Sequence, residues 1–177
     1  MNKVQAAKAG ISFLWEKAPK GKLNPNNLGW VRPDGVINFA SENAAETCAK
    51  NIVMKAFKAP VQYERGVVLS KNKILDVIEG DAASCPFNSM DYQCSKIKFY
   101  HSHPDMYGKG KTTPVSAGDF QALRGKVIVG NNIDEVVAFN SNGEYSKLTK
   151  ICNNPKNWFQ WIRYQMKYYK FDKIAKN

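Results

Sequence analysis

The amino-acid sequence predicts an α/β domain built on a mixed β-sheet, and three observations lead to this prediction. The chain has 177 residues, a length that favours one domain with an appended segment. Hydrophobic residues make up 44% of the chain, which is enough for a sizeable core. Segments with helical spacing of apolar residues alternate with short segments rich in β-branched and aromatic residues. The resulting order of helix, strands, helix, strands and helix favours a sheet flanked by helices.

The first helix is predicted over residues 42–58, where small and apolar residues fall on one helical face. Ser41 stands at the N-cap position, and Pro60 ends the helix. The preceding segment, residues 17–34, is rich in Pro, Gly, Asn and Lys. This composition predicts a loop or a loosely packed arm.

The predicted strands share period-two alternation or runs of β-branched and aromatic residues. They lie at residues 62–70, 74–79, 96–101, 126–130, 135–140 and 145–148. The first two form a hairpin across the polar residues 71–73, and the strand at 96–101 ends at the first of two histidines. The last strand is the hairpin partner of the one before it.

Two further helices are predicted, a short one over residues 116–123 and a final one over residues 154–171, with Pro155 in its first turn. The final helix carries an aromatic stripe that packs on the core in preference to forming a membrane or nucleic-acid platform. The predicted divisions are an N-terminal arm or linker, a central α/β core and a basic, aromatic C-terminal helix packed on that core. They span residues 1–38, 39–150 and 151–177.

The formal net charge of +11 predicts affinity for polyanions or acidic partners, so nucleic acid is an open partner class. Seven basic residues but only one acidic residue, Asp172, lie within residues 150–177. A solvated basic face and a binding surface are both open there. No stretch of about 18 consecutive apolar residues occurs, so no transmembrane segment is predicted. Residues 1–14 make a poor secretory signal, which predicts either a cytosolic protein or export without a cleaved signal peptide.

Four cysteines, Cys48, Cys85, Cys94 and Cys152, occur without a Cys-x-x-Cys pair, which argues against a structural zinc knuckle. Cys85 and Cys94 bracket a short polar segment. A disulfide between them in an oxidising compartment and free buried thiols in a cytosolic protein are both open.

The residues that point to chemistry begin with the two histidines of the chain, which both lie in the motif His101-Ser102-His103-Pro104. At the end of a strand, residues i and i+2 point to the same face, so the two imidazoles can converge on one Zn²⁺ ion. Ser116 and Asp119 share a helix face at i and i+3, which offers a carboxylate as third ligand and a hydroxyl beside it. The same pair also fits a helix-capping role.

A hydrolase with such a metal needs a general base for the attacking water, and glutamate suits that role. Glu64 lies in a strand-like segment and is followed by Gly66, which allows a close approach by a neighbouring group. Glu79 is the reserve candidate, at a turn.

Glu64, the His-x-His-Pro motif at His101 to Pro104 and the Ser-x-x-Asp motif at Ser116 to Asp119 together resemble the signature of the JAMM (MPN+) metalloproteases. The resemblance implies a cytidine-deaminase-like three-layer core. It also implies zinc bound by two histidines and an aspartate, with the glutamate as acid/base and the serine stabilising the tetrahedral intermediate. Its implied substrates are proteins or peptides, including ubiquitin-like tails joined by isopeptide bonds.

Residues 39–119 are similar, more narrowly, to bacterial JAMM-like domains at the C-termini of polymorphic toxins, through Ser41 to Ala45 and Tyr63 to Val68. This similarity implies an effector delivered into a target cell by a secretion system and an acidic immunity protein as partner. The loop 105–115 is longer than in eukaryotic deubiquitinases, which weakens the expectation of ubiquitin specificity. A metal-dependent nuclease toxin and a catalytically silent binding module are the alternatives.

Overall fold

The structure, a computed structural model, describes residues 12–15, 28–31, 36–92, 96–105, 133–150 and 169–176. These residues form one α-helix, α1 (Glu42–Lys55), followed by a 3-10 turn (Ala56–Lys58), a second 3-10 turn (Ser89–Tyr92) and nine strands. The strands are β1 (Ser12–Trp15), β2 (Leu28–Val31), β3 (Ile37–Asn38), β4 (Arg65–Ser70), β5 (Lys73–Glu79), β6 (Ile97–Ser102), β7 (Ile133–Phe139), β8 (Glu144–Lys150) and β9 (Tyr169–Lys176).

All nine strands belong to one sheet, in the order β1-β2-β3-β5-β4-β6-β7-β8-β9. The pairs β1–β2 and β6–β7 are parallel, and the other neighbours are antiparallel. The sheet is therefore mixed, and the α/β prediction is confirmed. The predicted hairpins appear as β4–β5 and β7–β8.

Helix α1 begins where its sequence signals indicate. The Ser41 hydroxyl accepts a hydrogen bond from the Ala44 N–H at 3.1 Å, which satisfies one of the free donors at the helix start. Small and apolar residues on one face, Cys48, Ile52 and Val53 among them, are buried against the sheet. The predicted helix is confirmed, with its last three residues wound more tightly as a 3-10 turn before Pro60.

The two faces of the sheet carry separate hydrophobic clusters, because side chains alternate along each strand. Val67 of β4 and Tyr100 of β6 pack with α1 on one face, hereafter the helix face. Val68 and Phe99 belong to the cluster on the opposite face. Five of the six residues of β4 are buried, as expected of a central strand covered on both sides.

Both ends of the described chain differ from the sequence predictions. The loop predicted over residues 17–34 contains β2, and the predicted N-terminal arm, residues 1–38, also contains β1. The arm therefore contributes strands to the sheet. The helix predicted over residues 154–171 is wrong for residues 169–171, because these begin β9, and the predicted C-terminal helical segment 151–177 therefore ends in a strand.

The physical reason for the C-terminal strand lies in pairing. Tyr169 and Phe171 alternate with Lys170 and Asp172, which suits a strand, and β9 pairs with β8 from Lys150 to Glu144. The predicted elements at residues 116–123, 126–130 and 154–168 lie outside the described residues. No helix in the described part of the chain is long and apolar enough to cross a membrane.

Candidate metal centre

The two histidines meet at the end of β6, as the period-two argument predicts. His101 is the fifth residue of β6, and His103 follows the strand directly; their exposed fractions are 1% and 6%. The two Nε2 atoms lie 2.9 Å apart, and the rings are arranged edge to face. The backbone N–H of His103 donates to the carbonyl of Phe139 at 2.9 Å, which holds this end of β6 against β7.

The pair fits two ligands of one zinc ion. A tetrahedral zinc with Zn–N bonds of about 2.0–2.1 Å holds two nitrogens about 3.3 Å apart, so the pair needs to widen by only about 0.4 Å. A separation of 2.9 Å is also a normal N–H···N hydrogen bond. Without metal, one neutral imidazole therefore donates its Nε2 proton to the other, and a metal ion competes with that shared proton.

Glu64 lies immediately before β4 and beside the histidines. Gly66 pairs with His101 in the antiparallel β4–β6 ladder, and the same register continued by two residues sets Glu64 opposite His103. Paired residues share a face of the sheet, so Glu64 belongs to the same face as the two histidines. This is the face opposite α1, hereafter the histidine face. Its backbone is held on the other side by β5 and the loop that follows: the N–H donates to Asp81 at 2.7 Å and the carbonyl accepts from Gly80 at 2.8 Å.

Cys85 lies beside Gly66, near the carboxylates of Glu64 and Glu79. Burial, followed by the charges of Glu64 and Glu79, raises the pKa of the Cys85 thiol to about 12. The Cys85 sulfur lies 2.8 Å from the position that a Cβ on Gly66 would occupy. The thiol therefore lies next to Gly66 and within the field of the Glu64 charge.

Glu79, the reserve candidate for the base, is engaged elsewhere. Its carboxylate forms a two-point ion pair with the Arg65 guanidinium, at 2.9 and 3.1 Å. The same guanidinium donates to the Ile52 carbonyl of α1 at 3.2 Å and to the Tyr63 hydroxyl. Arg65 therefore holds the Glu79 carboxylate on the helix face, away from the histidines.

A column of aromatic rings supports the histidines from the side. The His101 ring stacks on Phe99 with centroids 5.0 Å apart, and Phe99 stacks on Phe87 at 4.0 Å. Gly66 makes this possible, because a Cβ there would lie 2.5 Å from Cε2 of Phe99. The close approach expected at Gly66 is confirmed, and the approaching groups are the Phe99 ring and the Cys85 sulfur.

Ser102 is a residue of the site that the sequence reasoning missed. It is fully buried, and its hydroxyl accepts from the Arg65 N–H at 2.9 Å and donates to the Tyr63 carbonyl at 3.1 Å. The available signal was its position between two histidines that share a face, since alternation turns Ser102 to the opposite face. Gln62 and Asp105 add a second link between the same two segments, at 2.8 and 3.2 Å.

A cleft of about 500 Å³ also lies on the helix face, so it is separate from the histidines. Lys98 projects into it and bonds to Glu46 at 2.6 Å and Glu42 at 2.9 Å. Burial lowers the pKa of Lys98, but these glutamates outweigh burial and hold the pKa above its usual value. Glu135 is mostly buried, and burial raises its pKa. Two of the ion pairs in this cleft are Lys98–Glu46 and Lys147–Glu135.

The remaining predicted site residues, Ser116 and Asp119, lie outside the described residues. Within the described ranges, no three His, Cys, Asp or Glu side chains are grouped so as to hold a metal ion. Cys48 and Cys85 are free thiols in the structure, while Cys94 lies outside the described ranges.

Comparison of the chain with known protein families, with curated protein sequences and with solved structures finds no match in any of the three.

Proposed function

We propose that this chain is a zinc-dependent metallopeptidase or isopeptidase of the JAMM type, with the corresponding three-layer fold. One observation carries the proposal: two buried imidazoles, His101 and His103, converge with their Nε2 atoms 2.9 Å apart. The position of Glu64 opposite His103 on the same face adds a carboxylate beside the pair. Buried histidines paired in this way are typical of ligands, and a neighbouring glutamate is typical of a hydrolytic centre.

The zinc ligands in this proposal are His101, His103 and the predicted third ligand, Asp119. Three protein ligands leave one position open, which is the pattern of catalytic zinc. When bound, zinc supplies a Lewis acid that polarises the scissile carbonyl and lowers the pKa of a water to about 7.

The chain's own groups do the rest of the chemistry. The Glu64 carboxylate takes a proton from the attacking water and delivers it to the leaving amine, as a general base and then a general acid. The Ser116 hydroxyl donates to the oxyanion that develops on the carbonyl, a contribution typically worth about 3 kcal/mol. The stacked rings of Phe99 and Phe87 hold the His101 imidazole in its orientation and exclude water from one side.

The substrate side of the proposal follows from the resemblance to toxin domains and from charge. The substrate is a peptide or isopeptide bond in a protein, with ubiquitin-like tails included among the candidates. The chain acts as a bacterial effector, and its net charge of +11 suits an acidic immunity protein that neutralises it.

Metal content and a matched pair of glutamate variants test the proposal. The protein is purified without a metal-affinity step, and its zinc is measured by elemental mass spectrometry. We expect about one zinc per chain, lost in His101→Ala, in His103→Ala and in Asp119→Asn. Glu64→Gln keeps the zinc and abolishes cleavage of peptide and isopeptide substrates. Glu79→Gln, the same change on the opposite face, keeps both.

Two outcomes would overturn the proposal. One is a folded wild-type chain that takes up no zinc even after reconstitution. The other is full activity in Glu64→Gln. Degradation of RNA or DNA by the pure protein, lost in His103→Ala, would instead establish the nuclease alternative.

A further inference from the structure

Ser102 sits between the two histidines but belongs to the opposite face of the sheet. Its side chain is fully buried, and both capacities of its hydroxyl are used. The oxygen accepts from the Arg65 N–H at 2.9 Å, and the hydroxyl donates to the Tyr63 carbonyl at 3.1 Å. A buried hydroxyl that both donates and accepts holds its two partners at a defined separation.

The two partners of Ser102 are the peptide groups on either side of Glu64. The Tyr63 carbonyl belongs to the peptide before Glu64, and the Arg65 N–H belongs to the peptide after it. Glu64's own N–H and carbonyl are bonded to Asp81 and Gly80. All four backbone polar groups around Glu64 are therefore engaged, two of them by one side chain of β6.

We infer that Ser102 is a positioning residue that fixes Glu64 relative to the two histidines, an inference that rests on the proposed function. His101 and His103 flank Ser102 in the chain, so the residue that holds Glu64 is covalently continuous with both metal ligands. A shift of β4 against β6 would separate the base from the metal. Ser102 prevents that shift at the point where β4 begins and its ladder with β6 ends.

A serine elsewhere in the same sheet separates positioning from mere burial. Ser146 of β8 is also fully buried, but its hydroxyl has no hydrogen-bond partner among the described side chains. Ser146→Ala therefore removes the same atom from an equally buried site without breaking a hydrogen bond to a described residue. This makes it a matched control for Ser102→Ala.

The kinetic test compares Ser102→Ala, Ser146→Ala and Glu64→Asp, a variant that keeps a shortened carboxylate. We expect Ser102→Ala to lower kcat by about 10- to 100-fold with KM and zinc content unchanged, because a misplacement of about 1 Å costs that much. Ser146→Ala keeps the wild-type kcat. In the Glu64→Asp background, Ser102→Ala causes little further loss, since both changes displace the same carboxylate.

The inference would be overturned if the losses of kcat in the Ser102→Ala and Glu64→Asp double variant were fully multiplicative. An equal loss of kcat in Ser146→Ala, or a loss of zinc in Ser102→Ala, would also overturn it. If Ser102→Ala unfolds, Ser102→Cys replaces it. The thiol fills the same space with weaker hydrogen bonds, so a smaller drop in kcat is expected.

Hydrogen exchange separates this inference from the proposed function. The Arg65 amide donates to Ser102, so it should exchange at least 10-fold faster in Ser102→Ala and unchanged in Ser146→Ala. Wild-type protein that binds zinc but cleaves no substrate would contradict the proposed function. The exchange rate of the Arg65 amide would still test the inference in that case. Unchanged exchange of the Arg65 amide would overturn the inference whatever the activity.

Discussion

Gly66→Ala should damage the histidine site without touching a histidine. Gly66 lies opposite His101 in the β4–β6 ladder, and an added Cβ would meet Phe99 at 2.5 and 2.7 Å and the Cys85 sulfur at 2.8 Å. Ordinary contacts between such carbon atoms begin at about 3.4 Å, so the Phe99 ring must move by about 1 Å. Phe99 is held between Phe87 and His101, so its displacement reaches the imidazole.

The expected cost combines two opposing effects. Forcing a methyl group into a packed core costs about 1–3 kcal/mol. Replacing glycine by alanine lowers the entropy of the unfolded chain, which returns about 0.4–1 kcal/mol. The midpoints of these ranges, about 2 and about 0.7 kcal/mol, leave a net loss at Gly66 of about 1.3 kcal/mol. This corresponds to a fall in Tm of roughly 3–5 °C for a chain of this size. Displacing a group that supports a metal ligand typically costs at least about 10-fold in metal affinity.

Urea unfolding and competition with a zinc chelator measure these two quantities, and Gly143→Ala is the matched control. Gly143 has φ +76° in the turn between β7 and β8, and a new Cβ there would lie 3.9 Å from the Met54 methyl carbon, an ordinary contact distance. Alanine there costs about 1–2 kcal/mol through backbone strain alone, and it should leave zinc affinity unchanged. A Gly66→Ala variant within 0.5 kcal/mol of wild type, or the same zinc affinity in both variants, would refute the reasoning about Phe99.

Two further predictions concern the groups around Glu64. Arg65→Ala should lower the free energy of unfolding by about 2–4 kcal/mol, because it removes a buried guanidinium bonded to Glu79 and to Ile52. Urea unfolding at low and high salt measures this loss. A loss below 1 kcal/mol would contradict the prediction. Cys85 should react with iodoacetamide at pH 8 about 1,000-fold more slowly than in the urea-unfolded chain, because burial and the charges of Glu64 and Glu79 raise its pKa from 9.0 to about 12. The raised pKa also means that this thiol's contribution to stability is lost as the pH rises from about 9 towards 12. Peptide mapping by mass spectrometry follows Cys85 alone, and equal rates in folded and unfolded protein would show that the thiol is not shielded.

The sequence predicted those parts of the fold whose signals are local. Helix α1 has its cap at Ser41, an apolar face and Pro60 as a stop, so residues close in sequence determine it. The period-two alternation of β6 likewise predicted that His101 and His103 share a face. These arguments use only neighbours within four residues along the chain, and they were sufficient there.

The sequence could not predict contacts that depend on strand pairing. Tyr169 to Phe171 fits both a helix end and a strand, and pairing with β8 decides between them. Ser102 forms hydrogen bonds to Arg65 and Tyr63, which precede it by 37 and 39 positions in the chain. No local sequence pattern predicts these bonds. Glu79 looked like a second candidate for the base until the ion pair with Arg65 set it on the helix face.

The alternation of the central strands explains why one short motif can serve both chemistry and structure. His101 and His103 project from the histidine face, together with Glu64 and Gly66 of the neighbouring chain segment. Ser102 belongs to the helix face, where it holds the backbone around Glu64. The proposed mechanism needs both faces, because in it the histidines hold the metal and the backbone fixed by Ser102 positions Glu64 as the base. A substitution on the helix face should therefore alter the proposed turnover while leaving zinc bound, and a substitution at either histidine should remove the zinc while leaving Glu64 in place.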